Sequence, residues 1–573
     1  MKILQGIAGS HGYGSGRAAV KRETGVTPQR YAILDSEAEA ERFRRAQTAC
    51  DKRLEKLIED CGGQSDDAAG IFAAHRMILN DEAFFKKVLS RLESEKLNIE
   101  YLIYEECNQV TAQFEAFDDP YLKERAADIE NVCNDIIRAL LGLQQDFSLS
   151  GKDGDVIIVA EDLTPAETIK MDKSSLRGFV TEKGGASSHT VILAKALGIP
   201  AITGVKDAVG TVVDGDTLLV DAFLGTVTIN PEAGQEKEFQ TLSAKYMQKR
   251  QTYEKGAGLP AVTLDGFKVD VNINSGDLAG IQDFNASSCD GVGLLRTEFL
   301  YLGRSDYPDE ETQYKVYSDL AARAKGKEVI IRTLDIGGDK QVGYMDLPDE
   351  ENPFLGYRAI RLCLDRREVF ETQLRAILRS SVCGNVKIMF PMIVNIEELR
   401  EAKACVEAAK QSLRQDGLAF NENILIGVMI ETPAAALISG KLAGESDFFS
   451  IGSNDLIQYV TAADRMNEKV QYLYDSCNIS VLTAIHMVAR SAEAAGIPWG
   501  ICGEVASEDR LIPVWTALGV SELSVAPPNV GRVKHIIRNI NKTTLLPEIE
   551  RILKHKLTNE VKLDLDKILM RID

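Results

Sequence analysis

The sequence predicts a multidomain α/β protein ending in a (β/α)8 barrel, and three observations predict it. A chain of 573 residues exceeds what one hydrophobic core can hold, so two to four domains are expected. Strand-like segments give way to a charged helical block and then return, which is the pattern of an α/β domain interrupted by an inserted bundle. Over the last 310 or so residues, eight short apolar segments alternate with helical ones, the rhythm of a closed parallel barrel.

The first element, "ILQGIAGSHGYGSGRAAV", reads as glycine-rich strand. From Asp35 to about Leu143 the apolar residues recur at helical spacing among dense charges, as in Phe43, Ala46, Leu54, Leu57 and Ile58, which predicts an amphipathic bundle. Strand signals return in "DVIIVAED", "RGFVTE", "PAITG", "DTLLVD" and "GTVTIN". A charged helical stretch with few apolar anchors follows Pro231 and reads as a connector. The expected division is therefore an α/β domain over 1–22 and 148–230, a bundle over 23–147, a linker helix over 231–260 and a barrel over 261–573. The barrel strands are expected at 267–274, 290–295, 328–335, 386–392, 424–431, 447–452, 498–504 and 521–525.

Composition narrows the function. A net charge of −20 argues against a nucleic-acid surface but suits a basic protein partner. No stretch of eighteen apolar residues is present, so no membrane span is expected, and the opening "MKILQGIAGS" lacks the apolar run of a signal peptide. Ten cysteines without a CxxC pair indicate neither a zinc site nor a disulfide framework, so a reduced, cytoplasmic protein is expected.

In a (β/α)8 barrel the active site lies at the C-terminal ends of the strands, and those ends carry Arg296, Arg332, Glu431, Asn454, Asp455, Cys502 and Glu504. Arg296, Arg332 and Arg465 offer rigid forks of donors for phosphate or carboxylate. Each could instead pair with a nearby acid, but three at one mouth favour an anionic ligand. Glu431 and Asp455 could hold Mg2+, although carboxylates among arginines also form plain salt bridges. "SND" (453–455) could cap the following helix. Most free cysteines are inert, whereas Cys502 at such a mouth could give a proton to carbon. His189, in "TEKGGASSHT", sits at the entrance of the helical stretch "TVILAKAL", where first-turn N–H groups would stabilise a negative charge. A capping turn without chemistry is the alternative there.

"GGASSHTVILAKALGIPAI" resembles the phosphohistidine segment of phosphoenolpyruvate-utilising enzymes, and "DFFSIGSNDLIQYVTAADRMN" resembles their second signature. With "GLLRTEFLY", "FLGYRAIR" and "IETPAA", the resemblance extends end to end to the enzyme I family of the bacterial sugar phosphotransferase system. It implies a swivelling phosphohistidine α/β domain with an inserted helical bundle, followed by a phosphoenolpyruvate-binding barrel that also forms a homodimer. It implies a cycle in which phosphoenolpyruvate, with Mg2+, phosphorylates His189 and leaves as pyruvate, after which the group passes to a histidine of the carrier HPr. By the same match Arg296, Arg332, Arg358, Asn454, Asp455 and Arg465 hold substrate, Glu431 and Asp455 hold the metal, and Cys502 protonates the enolpyruvate carbon. The bundle is the expected HPr-docking surface, through His75, Met77 and Leu79 in "AAHRMILND". Two departures stand out: Ala186-Ser187 where many relatives have Arg-Thr, and an unusually glycine-rich "GSHGYGSG" with His11. A non-catalytic, phosphoenolpyruvate-sensing scaffold of the same fold is the competing expectation, disfavoured because the nucleophile, metal ligands and acid are all present. The ATP-binding domain of the dikinase and synthase relatives has no counterpart ahead of His189.

Overall fold

The computed structural model describes residues 2–21, 27–61, 75–115, 120–143, 154–163, 175–184, 190–191, 194, 198–276, 280–281, 286–302, 304–338, 342–465, 467 and 469–572. The chain divides into two compact units, Met1–Lys249 and Arg250–Asp573.

In the first unit, strands from both sides of the helical block share one eight-stranded sheet, in the order β1-β8-β7-β3-β4-β5-β6-β2. They are β1 (Lys2–Gln5), β2 (Ile7–Ser10), β3 (Tyr13–Lys21), β4 (Val156–Ala160), β5 (Leu176–Thr181), β6 (Ala201–Thr203), β7 (Thr217–Asp221) and β8 (Thr226–Ile229). The join is the parallel pairing of β3 with β4, Arg17 opposite Val156. In β4 the side-chain period of two sends Ile157 and Val159 into one core and Val156, Ile158 and Ala160 into the other. A strand covered on both faces needs an unbroken apolar run, and "VIIVA" supplies it. The glycines of "GSHGYGSG" answer to close approach. A Cβ on Gly9 would stand 2.3 Å from Val191 Cγ2, and one on Gly14 would stand 2.3 Å from the Arg177 carbonyl oxygen. His11 stacks on Phe223 at 5.3 Å between ring centroids.

The inserted block forms helices Ser36–Cys61, Glu82–Glu95, Ile99–Glu115 and Pro120–Leu141, with residues 75–79 also helical. Their apolar stripes close on a core that includes Phe43, Leu54, Leu92, Leu102 and Ile136. Leu79 belongs to that core at 1 % exposure, whereas Met77 is 72 % exposed. Leu79 is thus a packing residue and not the docking residue expected from "AAHRMILND": i and i+2 point to different sides of a helix. His75 Nε2 lies 3.1 Å from Asp128 Oδ1.

The second unit is a closed parallel barrel of eight strands. They are β9 (Asp270–Ser275), β10 (Gly291–Leu295), β11 (Glu328–Arg332), β12 (Asn385–Phe390), β13 (Ile426–Ile430), β14 (Phe448–Ile451), β15 (Trp499–Ile501) and β16 (Glu522–Val525). Every expected barrel segment contains one of these strands, apart from one-residue overhangs at the end of β9 and the start of β12. The observed strands are shorter because several expected segments ran on into the polar loops beyond the barrel rim. Leu294, Ile330, Met389, Met429, Phe448 and Cys502 pack together, and the larger apolar set packs the strands against the outer helices. No described helix is long and apolar enough to cross a membrane.

Candidate active site at the barrel mouth

The period of two explains which residues reach the mouth. Arg332 stands two residues beyond Ile330 and Glu431 two beyond Met429, so each continues an inward-facing row past the apolar plug. Gly452 leaves the room Glu431 needs, since a Cβ there would stand 2.8 Å from Glu431 Oε2.

Arg332 and Arg358 are buried and already paired. Arg332 Nη2 donates to Glu298 Oε1 and Nη1 lies against Asp335 Oδ2, each at 2.9 Å. Arg358 Nη2 donates to Asp335 Oδ1 at 2.8 Å and Oδ2 at 3.0 Å, and its Nε donates to Oδ1 at 3.1 Å. Burial opposes both charges, but the surrounding carboxylates outweigh it and hold both guanidinium groups more firmly protonated than usual. Of the three arginines for which pairing was the alternative, it therefore holds for Arg332 and for Arg465, which lies against Asp455, without removing either from the site. Arg332 Nε is buried without a hydrogen-bond partner, and Arg358 Nη1 reaches Tyr459 Oη at 3.2 Å. Arg296 differs: it is exposed, and among the described residues its guanidinium makes no hydrogen bond or ion pair.

Glu298 and Asp335 lie in "RTEF" and "RTLD", two residues after Arg296 and three after Arg332, and sequence reasoning passed over both as site residues. The signal was there as an acid following an arginine at a strand end. Behind Arg332, Thr297 Oγ1 donates to the Arg332 carbonyl at 3.0 Å and receives Gln373 Nε2 at 3.1 Å, so the strand end is held from outside the site.

Asn454 and Asp455 occupy the first turn of helix Ser453–Thr461. Gly452 is the N-cap and no side chain caps the helix, so the capping reading of "SND" does not hold; Ser453 Oγ is buried and unpartnered. Asp455 lies 3.4 Å from Arg358 Nη2 through Oδ2 and 3.4 Å from Arg465 Nη1 through Oδ1. Oδ1 nonetheless has no hydrogen bond. Asn454 Oδ1 accepts from the Glu504 backbone N–H at 3.1 Å. Glu431 accepts from the Met392 N–H at 2.6 Å, and Met392 sits at φ +57° to deliver it.

Burial, followed by the carboxylates of Asp455 and Asp335, pushes Glu431 up to about 8. Two neighbouring carboxylates, one of them with a buried oxygen that accepts no hydrogen bond, are the donor set a hard divalent cation fits. Among the described residues no cluster of three or more metal-ligating side chains occurs, so protein would supply only part of the shell. Cys502 is 2 % exposed, and burial pushes its thiol up to about 11. It therefore carries its proton at neutral pH, the state of an acid and not of a thiolate nucleophile.

His189, with Ala186 and Ser187, lies outside the described residues. Its flanks are described: β5 ends at Thr181, and Thr190, Val191 and Ala194 are helical and buried.

Three families match the chain in order: PEP-utilising enzyme, N-terminal, over 5–125; PEP-utilising enzyme, mobile domain, over 152–225; and PEP-utilising enzyme, PEP-binding domain, over 250–542. A protein of Bacillus subtilis (strain 168) named phosphoenolpyruvate-protein phosphotransferase is 41% identical over 563 residues, covering 98% of each chain. The proteins of that name from Priestia megaterium and Haemophilus influenzae are 39% and 41% identical, over 98% and 94% of each chain. With a family match at every stage of the chain and identity sustained over nearly its full length, the chain belongs to the family of PEP-utilising enzymes.

Proposed function

We propose that this chain is a phosphoenolpyruvate-protein phosphotransferase that phosphorylates itself on His189 and passes the group to a histidine of HPr, the first step of sugar uptake through the phosphotransferase system. The observation that carries the reading is the makeup of the barrel mouth: an open cation at Arg296, an orphaned carboxylate oxygen on Asp455 and a protonated thiol at Cys502. An anionic substrate calls for the cation, protonation of its carbon calls for the acid, and the carboxylate oxygen suits a divalent cation that would offset the substrate's charge.

Arg296 supplies a cation that no acid among the described residues neutralises, while Arg332, Arg358 and Arg465 add donors already fixed in direction by Glu298, Asp335 and Asp455. Preorganised charge of this kind counts for more in a transition state than mobile charge, because nothing must reorganise as the phosphoryl group moves. Glu431 and Asp455 are the residues that would hold Mg2+, which when bound offsets charge on the phosphate oxygens. A neutral imidazole nitrogen of His189 forms the N–P bond as the bond between phosphorus and the enol oxygen breaks. The Cys502 thiol then gives its proton to the methylene carbon of enolpyruvate, and pyruvate leaves. His75 and Met77 belong to the HPr-docking face of the bundle, and the barrel is the homodimer contact.

Incubation with Mg2+ and phosphoenolpyruvate labelled in its phosphate tests the core of this. Acid-labile, base-stable label on the wild type and none on His189→Ala, with pyruvate released, is the expected result. Substrate binding without label on the wild type would leave the sensing scaffold in its place.

A further inference from the structure

Cys502 must aim its proton as well as hold it. On one side its main chain is fixed by the neighbouring strand β14: Cys502 N donates to the Ile451 carbonyl at 3.1 Å, and Sγ lies 3.5 Å from the same oxygen. On the other side the contact comes from a strand that is not a neighbour. Asn274 of β9 reaches past β16, and its Nδ2 donates to the Cys502 carbonyl oxygen at 3.2 Å. The same Nδ2 donates to the Ser524 carbonyl at 3.2 Å, and Asn274 Oδ1 accepts from Ser524 Oγ at 2.7 Å.

This arrangement has a single sense. An amide flipped end for end would set its oxygen against two carbonyl oxygens, so the two carbonyls and the hydroxyl together fix which end of Asn274 faces Cys502. The two peptide groups that flank the Cys502 Cα are thereby both held, the first through the Cys502 N–H by β14 and the second through the Cys502 C=O by β9. With the planes on both sides of its Cα fixed, the Cα–Cβ bond of Cys502 is fixed in direction, and releasing either plane lets the sulfur drift.

We infer that Asn274 is a positioning residue for the proton transfer, setting the direction of the Cys502 thiol through its carbonyl without contacting substrate, with Ser524 orienting the amide. The inference rests on the reading of Cys502 as the acid. It predicts a selective defect: the phosphoryl step relies on the arginines and Glu431, which Asn274 does not touch, whereas the carbon protonation relies on the aim of the sulfur.

The test uses the full-length chain with Mg2+ and phosphoenolpyruvate, comparing wild type, Asn274→Ala, Ser524→Ala and Cys502→Ala. Rapid quench measures phosphohistidine formed in a single turnover, and a coupled assay measures pyruvate released, in H2O and in D2O. For Asn274→Ala, pyruvate release should slow about tenfold with KM for phosphoenolpyruvate within about twofold, because misaimed proton transfer costs rate and not binding. Phosphohistidine formation should be unchanged, and the solvent isotope effect on pyruvate release should rise. Ser524→Ala should show the same pattern more weakly, and it provides the test if Asn274→Ala does not fold. Equal loss in both steps, or no change in either while Cys502→Ala is impaired, overturns the role of Asn274 and leaves Cys502 as the acid. Wild-type pyruvate release by Cys502→Ala overturns the reading of Cys502 itself, and the inference with it.

Discussion

The four arginines of the barrel mouth differ in what already holds them, and that difference can be measured. Arg358 is buried in a bidentate pair with Asp335, so Arg358→Ala removes one of the two arginines that neutralise a buried carboxylate and leaves it to Arg332. Breaking such a pair costs about 3–5 kcal/mol, and thermal unfolding of the barrel should shift down by several degrees along with the loss of activity. Arg296 is exposed and its guanidinium holds nothing among the described residues, so Arg296→Ala should leave the unfolding temperature within about 1 °C, since surface changes stay within about 0.5 kcal/mol. Its cost should fall on substrate: a rise of about tenfold or more in KM for phosphoenolpyruvate, the loss of one charge-assisted contact of about 1.5–3 kcal/mol. Equal unfolding temperatures for the two variants would contradict the assignment of Arg296 as the open cation. The bundle offers a parallel contrast. Leu79→Ala removes a core side chain and should cost about 2–5 kcal/mol, whereas Met77→Ala should leave stability unchanged and weaken transfer to HPr. Chemical denaturation and HPr-dependent kinetics separate the two.

At the scale of the element, the barrel is polar at both ends and apolar between. At the N-terminal end, Glu522 opens β16 facing Glu328 of β11, with Lys387 of β12, Asp270 of β9 and the amide of Asn272 around it. Glu328 is claimed by Lys387 Nζ at 2.5 Å and by Asn272 Nδ2 at 2.9 Å. Glu522 Oε1 and Asn272 Oδ1 are left buried without a partner, two acceptors lacking a donor. Burial, then the Glu328 carboxylate, pushes Glu522 up to about 8. Its carboxyl therefore keeps a proton that the unfolded chain releases near pH 4.3. Because the folded state binds more protons in that interval, this group favours folding fully below about pH 4.3 and progressively less as pH rises to about 8, where the effect levels off. Glu522→Gln keeps the shape and the neutral donor at every pH, so its unfolding midpoint in urea should change less than that of the wild type between pH 5 and pH 9. Parallel profiles for the two proteins would show that Glu522 is ionised in the folded barrel. Strain also belongs to the elements: Ala359, next to Arg358, sits at φ +54°, and Met392 at φ +57° delivers its N–H to Glu431. Loop backbone is bent there to serve the site.

For the whole molecule the net charge of −20 becomes a kinetic statement. Association with a basic carrier surface should be accelerated by long-range attraction, so kcat/KM for HPr should fall severalfold between about 50 and 300 mM salt as screening shortens its reach, while turnover with saturating carrier stays nearly constant. A salt-independent kcat/KM would mean that docking is governed by short-range contacts. The barrel was legible in the sequence because each strand is a short apolar run between helical stretches, and local period is enough to see that. The polar residues after those runs were legible for the same reason: a barrel puts every strand end at one mouth. Partnership was not legible. Whether an arginine stands open, as Arg296 does, or is locked between Glu298 and Asp335, as Arg332 is, depends on strands and loops brought together by closure of the barrel. Nor was the need for glycine at Gly9 in β2 and Gly14 in β3 legible, because Val191 and the Arg177 carbonyl that crowd them come from distant parts of the chain. Leu79 and Met77, two residues apart in one motif, parted into core and surface because the bundle buries only one stripe of that helix. The sequence by itself determined the element types, the barrel and the kinds of side chain at its mouth, since these follow from local periodicity and composition. Only the tertiary structure decided which charges are spent on one another, which oxygens are left without partners and where Asn274 reaches, because each of these is a contact between residues far apart in the chain.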